Sequence, residues 1–453
     1  MLLIYLTVVF CVQYQAGLVD TARILGVFPV PSISHQIVFR ALMLELSKNG
    51  HELVIITPNP ALPKDRPKDN ITEIDTSAVY QVMGRLYDEA QGKNMLKRGI
   101  VIDIESLLTG HSDRGMTELI SYQLDLPEVK ALLEDQTQKF DLIFVEAIAN
   151  YHLIVTNRFK APVIWFSSFF GFPEHYNSMG AVAWHPTFYP HFYRQKYANL
   201  TLWERIREIY LEWRIFQMIK TSEEYDDSKL RKRFGPKTPA IAELKKNIDV
   251  MFVNSHPIFA SNRPVPPSVI YLGALHLQKV KDLPEELQNY LDDSTRGVIY
   301  VSFGSNVRPS MMDSELLEVF LETFKLLPYD VLWKFDYENL ENVPKNVKIH
   351  KWFPQRDLLQ HPKIKLFITQ GGLQSIDEAI DASVPLVGLP MLADQWYNIN
   401  KCVDLGIAEQ VDVLTMTTND LVRAVTKVVT NISYKENFVI IEARELRSYD
   451  RVC

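Results

Sequence analysis

The stretch 352-WFPQRDLLQHPKIKLFITQGGLQSIDEAIDASVPLVGLPMLADQ-395 decides the fold. IKLFIT (364–369) is short, apolar and β-branched, as a strand buried on both faces of a parallel sheet must be. Gln370-Gly371-Gly372 follows at once, and LQSIDEAIDA (373–382) has helical spacing. Two glycines between a strand end and a helix start let the backbone approach a ligand closely. The free N–H groups and partial positive charge of the helix N-terminus favour a phosphate. Ser375 falls in the first helical turn, where its hydroxyl reaches a phosphate oxygen, and Glu378 lies on the same face, where it accepts from sugar hydroxyls. PLVGLP (385–390) reads as the next strand, with Asp394-Gln395 just past its carboxyl end, where open α/β sheets hold ligands. The layout suits a nucleotide diphosphate carrying a sugar.

Working outward, the same strand–helix rhythm recurs. VIYLG (269–273), GVIYVSFGSN (297–306), DVLWKFD (330–336) and VKIHKWF (347–353) read as strands of a second α/β series. PIFASNRPVPPS (257–268), with four prolines in twelve residues, reads as the linker before it. Upstream, RILGVFPV (23–30), a helix from about 34 to 49, and HELVIITP (51–58) form a βαβ unit, which implies a parallel sheet. FDLIFVEA (140–147), APVIWFSS (161–168) and DVMFVNSH (249–256) extend that sheet; residues 61–139 read as more helical and polar, and 203–245 as a charged helical stretch. Between 165 and 217 lies an aromatic run, interleaved with Pro, Gly and His, part of which is expected to line a pocket. The fold class is therefore α/β, with two doubly wound, Rossmann-like domains: 18–256, a linker at 257–268, and 269–453.

The 453 residues exceed one ordinary core, and 47% hydrophobic with 23% charged residues is a globular composition. A net charge of −7 without a basic run argues against nucleic acid as a partner. The apolar stretch LLIYLTVVFCV (2–12) before Ala16-Gly17 reads as a signal peptide removed near 17, although its start lacks a positive charge. Asn70, Asn199 and Asn431 are glycosylation sequons compatible with the secretory pathway, in the endoplasmic reticulum lumen or beyond it. Cys402 and Cys453 then remain, allowing one disulfide at most.

Trp352, Gln355, His361-Pro362, Gly371-Gly372, Glu378, Pro385, Pro390 and Asp394-Gln395 together resemble the signature of the UDP-glycosyltransferases, the family 1 glycosyltransferases. The resemblance runs from about residue 23 to 437. Many members carry His where this chain has Gln370; the glutamine variant resembles insect and baculoviral members, and an amide still donates to a phosphate oxygen. The resemblance implies a GT-B fold and inverting transfer from a UDP-sugar, which is the donor substrate, with no metal or cofactor. It implies a small lipophilic acceptor, and leaves the oligomeric state open. It also implies roles. His35, after the first strand at a helix start, is the base that deprotonates the acceptor; Glu146, standing where the family has Asp, orients it. Ser305, Gln370, Gly371, Gly372 and Ser375 hold the diphosphate. Trp352 stacks on uracil, Gln355 adds a polar contact to uridine, Glu378 holds the ribose, and Asp394 and Gln395 hold the sugar. Taken alone, His35 reads equally as a helix-start or solvated histidine, and Trp352 as a core residue.

Two alternatives remain in view. Family members continue past the SYKEN-like segment into a helix that returns to the first domain, then a membrane anchor, whereas FVIIEARELRSYDRVC (438–453) has no such apolar stretch. A shortened, non-catalytic binder on the same scaffold is therefore the alternative reading. A dinucleotide-dependent oxidoreductase fits the fold class, but no GxGxxG follows an early strand.

Overall fold

The computed structural model of the chain describes residues 21–62, 70–93, 95–109, 113–337, 340–438 and 441. The leader, the loop 63–69 and the tail beyond 441 with Cys453 lie outside them. Two sheets carry the fold. The first holds seven strands in the order β3-β2-β1-β4-β5-β6-β7: β1 Arg23–Val27, β2 Glu52–Thr57, β3 Ile71–Asp75, β4 Leu142–Glu146, β5 Val163–Ser167, β6 Val250–Val253 and β7 Val269–Tyr271. The second holds six, in the order β10-β9-β8-β11-β12-β13: β8 Val298–Ser302, β9 Asp330–Lys334, β10 Val347–His350, β11 Ile364–Thr369, β12 Leu386–Gly388 and β13 Ala408–Gln410. Every pairing is parallel. The central strands β8 and β11 are apolar because helices cover both their faces; β8 is buried throughout.

Three strands depart from the sequence reading, all at sheet edges. β3, in a region read as polar and helical, buries only Ile71 and Ile74 among polar residues, and β13 (Ala-Glu-Gln) is too short to register as an apolar run. β7 is the third. The sequence reading has it open the second series, yet Met251 pairs with Val269 and Val253 with Tyr271, so it closes the first sheet. The proline-rich segment 257–268 thus joins two strands of one sheet. Parallel neighbours need a crossover of a dozen or more residues, and this loop supplies it without a helix. The chain passes to the second sheet only after Tyr271.

Helix α1 (Ile33–Lys48) follows β1, and the short α2 (Ile104–Thr109) packs against α3, which runs 33 residues from Leu202 to Phe234. A capping box between Thr201 and Glu204 starts α3, and Gly235 at φ +99° ends it. The aromatic run divides. Trp165, Phe166, Phe170, Tyr176 and Phe192 are buried, whereas Phe188 (64% exposed) and Trp203 (78%) face outward. Phe169, Phe170, Phe172, Phe192 and Phe259 of the first half share one apolar core with Leu373, Ile376 and Tyr397 of the second. Among the described residues no helix is long and apolar enough to cross a membrane. Asn199 and Asn431 are exposed, but the Asn70 amide donates to the carbonyls of Ser47 (2.7 Å) and His51 (3.0 Å), bonds a glycan would break.

α3 carries acids on its inner face. Arg194 reaches Glu212 at 2.6 Å, and Thr117 donates to Asp226 at 2.5 Å. Burial pushes both carboxyls up to about 7, with Arg194 opposing it at Glu212 and the Thr117 hydroxyl at Asp226. A carboxyl raised on folding stabilises the fold while protonated, and that contribution drains away as pH climbs through its folded value. Asp226→Asn, which keeps the neutral shape, is expected to match the parent in thermal unfolding near pH 4 and to exceed it above pH 7 by on the order of 2 kcal/mol. Unfolding midpoints across that pH range check this.

Candidate active site

β1 and β4 are neighbours, so the loop leaving β1 lies beside the end of β4. Gln36 moulds that loop: its amide donates to the Phe28 and Val30 carbonyls at 2.9 and 3.0 Å and accepts from Thr57 at 2.8 Å. His35, the third residue of α1, is thereby set against Glu146, with 3.0 Å between Nδ1 and Oε1. The second Glu146 oxygen accepts the Val30 N–H at 3.1 Å, and the carboxyl is 1% exposed. Burial pushes Glu146 up, while the bonds from His35 and Val30 pull it down. A carboxylate accepting at Nδ1 fixes the proton there and leaves Nε2 with its lone pair. Behind it, buried His152 bonds the Glu146 carbonyl at 2.9 Å, and burial lowers it to about 4, keeping it neutral.

The second sheet faces this pair with three loops. Gly304, after β8, has φ +73°, and a Cβ there would lie 2.4 Å from the Gln370 amide nitrogen. Gln370 is thus folded over Gly304 and Gly372, 7% exposed, with its Oε1 unpartnered. Gly371 has φ +91°, and a Cβ there would strike Ile399 at 2.4 Å, so the turn packs closely against helix α5 (Gln395–Asp404). Helix α4 (Leu373–Asp381) starts from Gly372 with Ser375 in its first turn. Asp394 stands at the start of α5 and accepts from Asn398 at 2.9 Å; burial raises it, opposed by Asn398 and by the charge of His35. The Gln395 side-chain carbonyl accepts the N–H groups of Met391 (2.9 Å) and Leu392 (3.0 Å), which leaves its amide nitrogen to donate elsewhere.

The predicted residues fall into two groups. His35, Ser305, Gln370, Gly372, Ser375, Asp394 and Gln395 line one cleft of ≈ 160 Å³ between the sheets, with Ile148, Phe169, Phe172, Phe192 and Tyr193 as its apolar wall. Glu146 stands directly behind His35. Trp352, Gln355 and Glu378 stand apart from the cleft lining. Gln355 accepts from Tyr300 (3.2 Å) and donates to Glu378 (2.7 Å) and to Ser375 (3.0 Å), which ties this group back to the cleft. Burial raises Glu378, and the Gln355 bond opposes it. Trp352 is 62% exposed, so it is not a core residue.

Sequence reasoning missed Lys334, Asn306 and Gln374. The Lys334 ammonium lies 4.3 Å above the Trp352 ring and donates to the Gly304 carbonyl at 2.9 Å; burial lowers it to about 8. A lysine ending the apolar run of β9 was its only signal. Asn306 donates to Ser32 at 3.4 Å and Gln374 to the Ser168 carbonyl at 2.8 Å, so both bridge the two halves.

A glycine-seated amide and a helix start thus face a carboxylate-held histidine across the cleft between the sheets. The family model described as UDP-glucoronosyl and UDP-glucosyl transferase matches residues 23–444. The chain belongs to the UDP-glycosyltransferase family. Ecdysteroid UDP-glucosyltransferase of Spodoptera littoralis nuclear polyhedrosis virus is 42% identical over 91% of this chain and 82% of its own length. UDP-glucosyltransferase 2 of Dactylopius coccus is 31% identical, over 92% and 78%. Among solved structures, the glycotransferase of kitacinnamycin superposes with a TM-score of 0.57 at 19% identity, covering 95% of this chain and 96% of that one. LpCGTa in complex with UDP gives 0.56 at 13%, covering 94% and 95%. The fold is GT-B, and the chain is a UDP-glycosyltransferase whose donor is a UDP-sugar.

Gly304→Ala is expected to displace Gln370 from its seat and weaken UDP binding at least about tenfold, or about 1.4 kcal/mol. Titration calorimetry with UDP checks this.

Proposed function

We propose that the protein transfers glucose, with inversion, from UDP-glucose to a hydroxyl of a small lipophilic acceptor, a polyhydroxylated steroid of the ecdysteroid class. His35 Nε2 takes the acceptor proton, and the freed oxygen attacks the anomeric carbon. The bond from that carbon to the β-phosphate oxygen breaks, and its electron pair leaves with UDP. Glu146 holds the imidazole in register and balances the imidazolium as it forms. The single observation that carries this reading is the 3.0 Å bond from His35 to a buried Glu146 at the wall of the cleft that the second sheet closes.

On the donor side, the Gln370 amide, the Ser305 and Ser375 hydroxyls and the N–H groups at the start of α4 meet the charge leaving on the diphosphate, and Gly371 shapes the turn. Trp352 stacks on uracil, with Gln355 and Glu378 serving uridine. Asp394 and the Gln395 amide take the hexose hydroxyls. Glucose is favoured over glucuronate because, among the described residues, no Lys or Arg lines the cleft to meet a sugar carboxylate. The phenylalanine wall beside His35 suits a fused apolar ring system, and relatives named ecdysteroid UDP-glucosyltransferases favour a steroid. The exposed sequons Asn199 and Asn431 support a site of action within the secretory pathway.

His35→Ala is expected to lower transfer by about 10²–10⁴-fold. A real donor site at ~100 Kd of UDP-glucose adds about 2.7 kcal/mol of stability, and this variant is expected to keep that gain. Product formation and unfolding midpoints measured on the same preparation check both. Transfer undiminished in the variant overturns the assignment of the base.

A further inference from the structure

Residues 97–103 belong by sequence to the first half of the chain but are built into the second. Lys97 and Val101 close a tight loop through mutual backbone bonds of 2.8 and 2.9 Å. The loop tip is pressed onto the second half: Gly99 has φ +82°, and a Cβ there would lie 1.9 Å from the Met311 carbonyl oxygen. Only glycine fits. Arg98 beside it donates to the carbonyls of Val413 (2.7 Å) and Met416 (3.3 Å) and pairs with Glu315 at 2.9 Å. Ile100 and Val101 are buried in the core of the second sheet, with Val387, Leu389 and Met391.

The next residue reaches the candidate site. Ile102 N–H donates to the Met391 carbonyl at 2.9 Å, and the Met391 N–H is held by Gln395 at 2.9 Å. Loop 389–394 has left β12, so this bond stands in for a ladder partner and pins the loop from behind. Beyond it, Asp103 accepts the Ser106 N–H at 2.8 Å at the start of α2, which packs with Leu211 and Ile215 of α3 and with Tyr193 of the cleft wall.

We propose that segment 97–103 is a strap that positions the hexose-recognition loop: through Arg98, Gly99 and Ile102 it sets how tightly the sugar of the donor is held, without touching the donor. This rests on the reading of Asp394 and Gln395 as hexose contacts. The strap's signature is selective. Its tip also rests on Met311 and Asp313, well past Ser305 in the segment after β8, but its hydrogen bond to a loop of the site is the one from Ile102 to Met391 after β12, so loosening it weakens the hold on the sugar and spares the hold on UDP.

The test is the ratio of dissociation constants for UDP and UDP-glucose, by titration calorimetry, in the parent, Gly99→Ala, Arg98→Ala and Gln395→Ala proteins. Arg98→Ala leaves the Gly99 contact intact and guards against failure of Gly99→Ala to fold. Both strap variants are expected to bind UDP-glucose about three- to tenfold more weakly while binding UDP as the parent does. Equal losses for both ligands, or a loss for neither, overturn the strap. A Gln395→Ala protein that keeps the parent ratio sinks the reading of the loop itself. If Gln395→Ala loses discrimination and the strap variants keep it, the strap alone falls.

Discussion

All strands in each sheet run the same way, and this constraint governs the rest. A parallel sheet delivers every strand's carboxyl end to one edge, so the loops that leave there are brought together however far apart they lie in sequence. His35 and Glu146 are separated by 111 residues and meet because β1 and β4 are neighbours. Gly304, Gln370 and Asp394 follow β8, β11 and β12, which are neighbours in turn. Opposing two such edges makes the cleft, and the shared core of Phe169, Phe170 and Phe172 with Leu373 and Tyr397 keeps them opposed.

The site depends on carboxylates held in unfavourable surroundings. Glu146, Glu378 and Asp394 are each raised by burial and each held back by a specific donor: His35, Gln355 and Asn398. Such groups persist where neighbouring donors compensate for lost water. On the proposed reading, the neutral Gln370 amide stands where many family members have an imidazole, so the diphosphate would meet dipoles more than fixed charge.

How much of this was legible in the sequence follows from burial. Strands with helices on both faces must be continuously apolar, so β8 and β11 could be read directly, and the glycine turn after β11 announced the helix start. Edge strands answer to weaker rules, so β3, β7 and β13 were missed or misassigned, and the prolines of 257–268 suggested a linker where the chain needed a crossover. His35 and Glu146 were legible as strand-end residues once the family pattern was in view; their 3.0 Å contact was not, because it depends on strand order. Lys334 acts through the distant Gly304 carbonyl, and Gln36 through the loop just before its helix and the Thr57 hydroxyl, contacts that no hydrophobic pattern encodes.

The embedding of Ile100 and Val101 in the second core bears on how such proteins diversify. The two halves, each built on its own parallel sheet, look like exchangeable modules. A hybrid joined near Tyr271 would nonetheless carry a piece of one parent's core into the other parent's second sheet. Side chains of the wrong volume there open a void or force strain, each costing about 1–3 kcal/mol. Recombination between relatives is therefore constrained by a few residues far from the join, and successful exchanges must bring matching strap and sheet together.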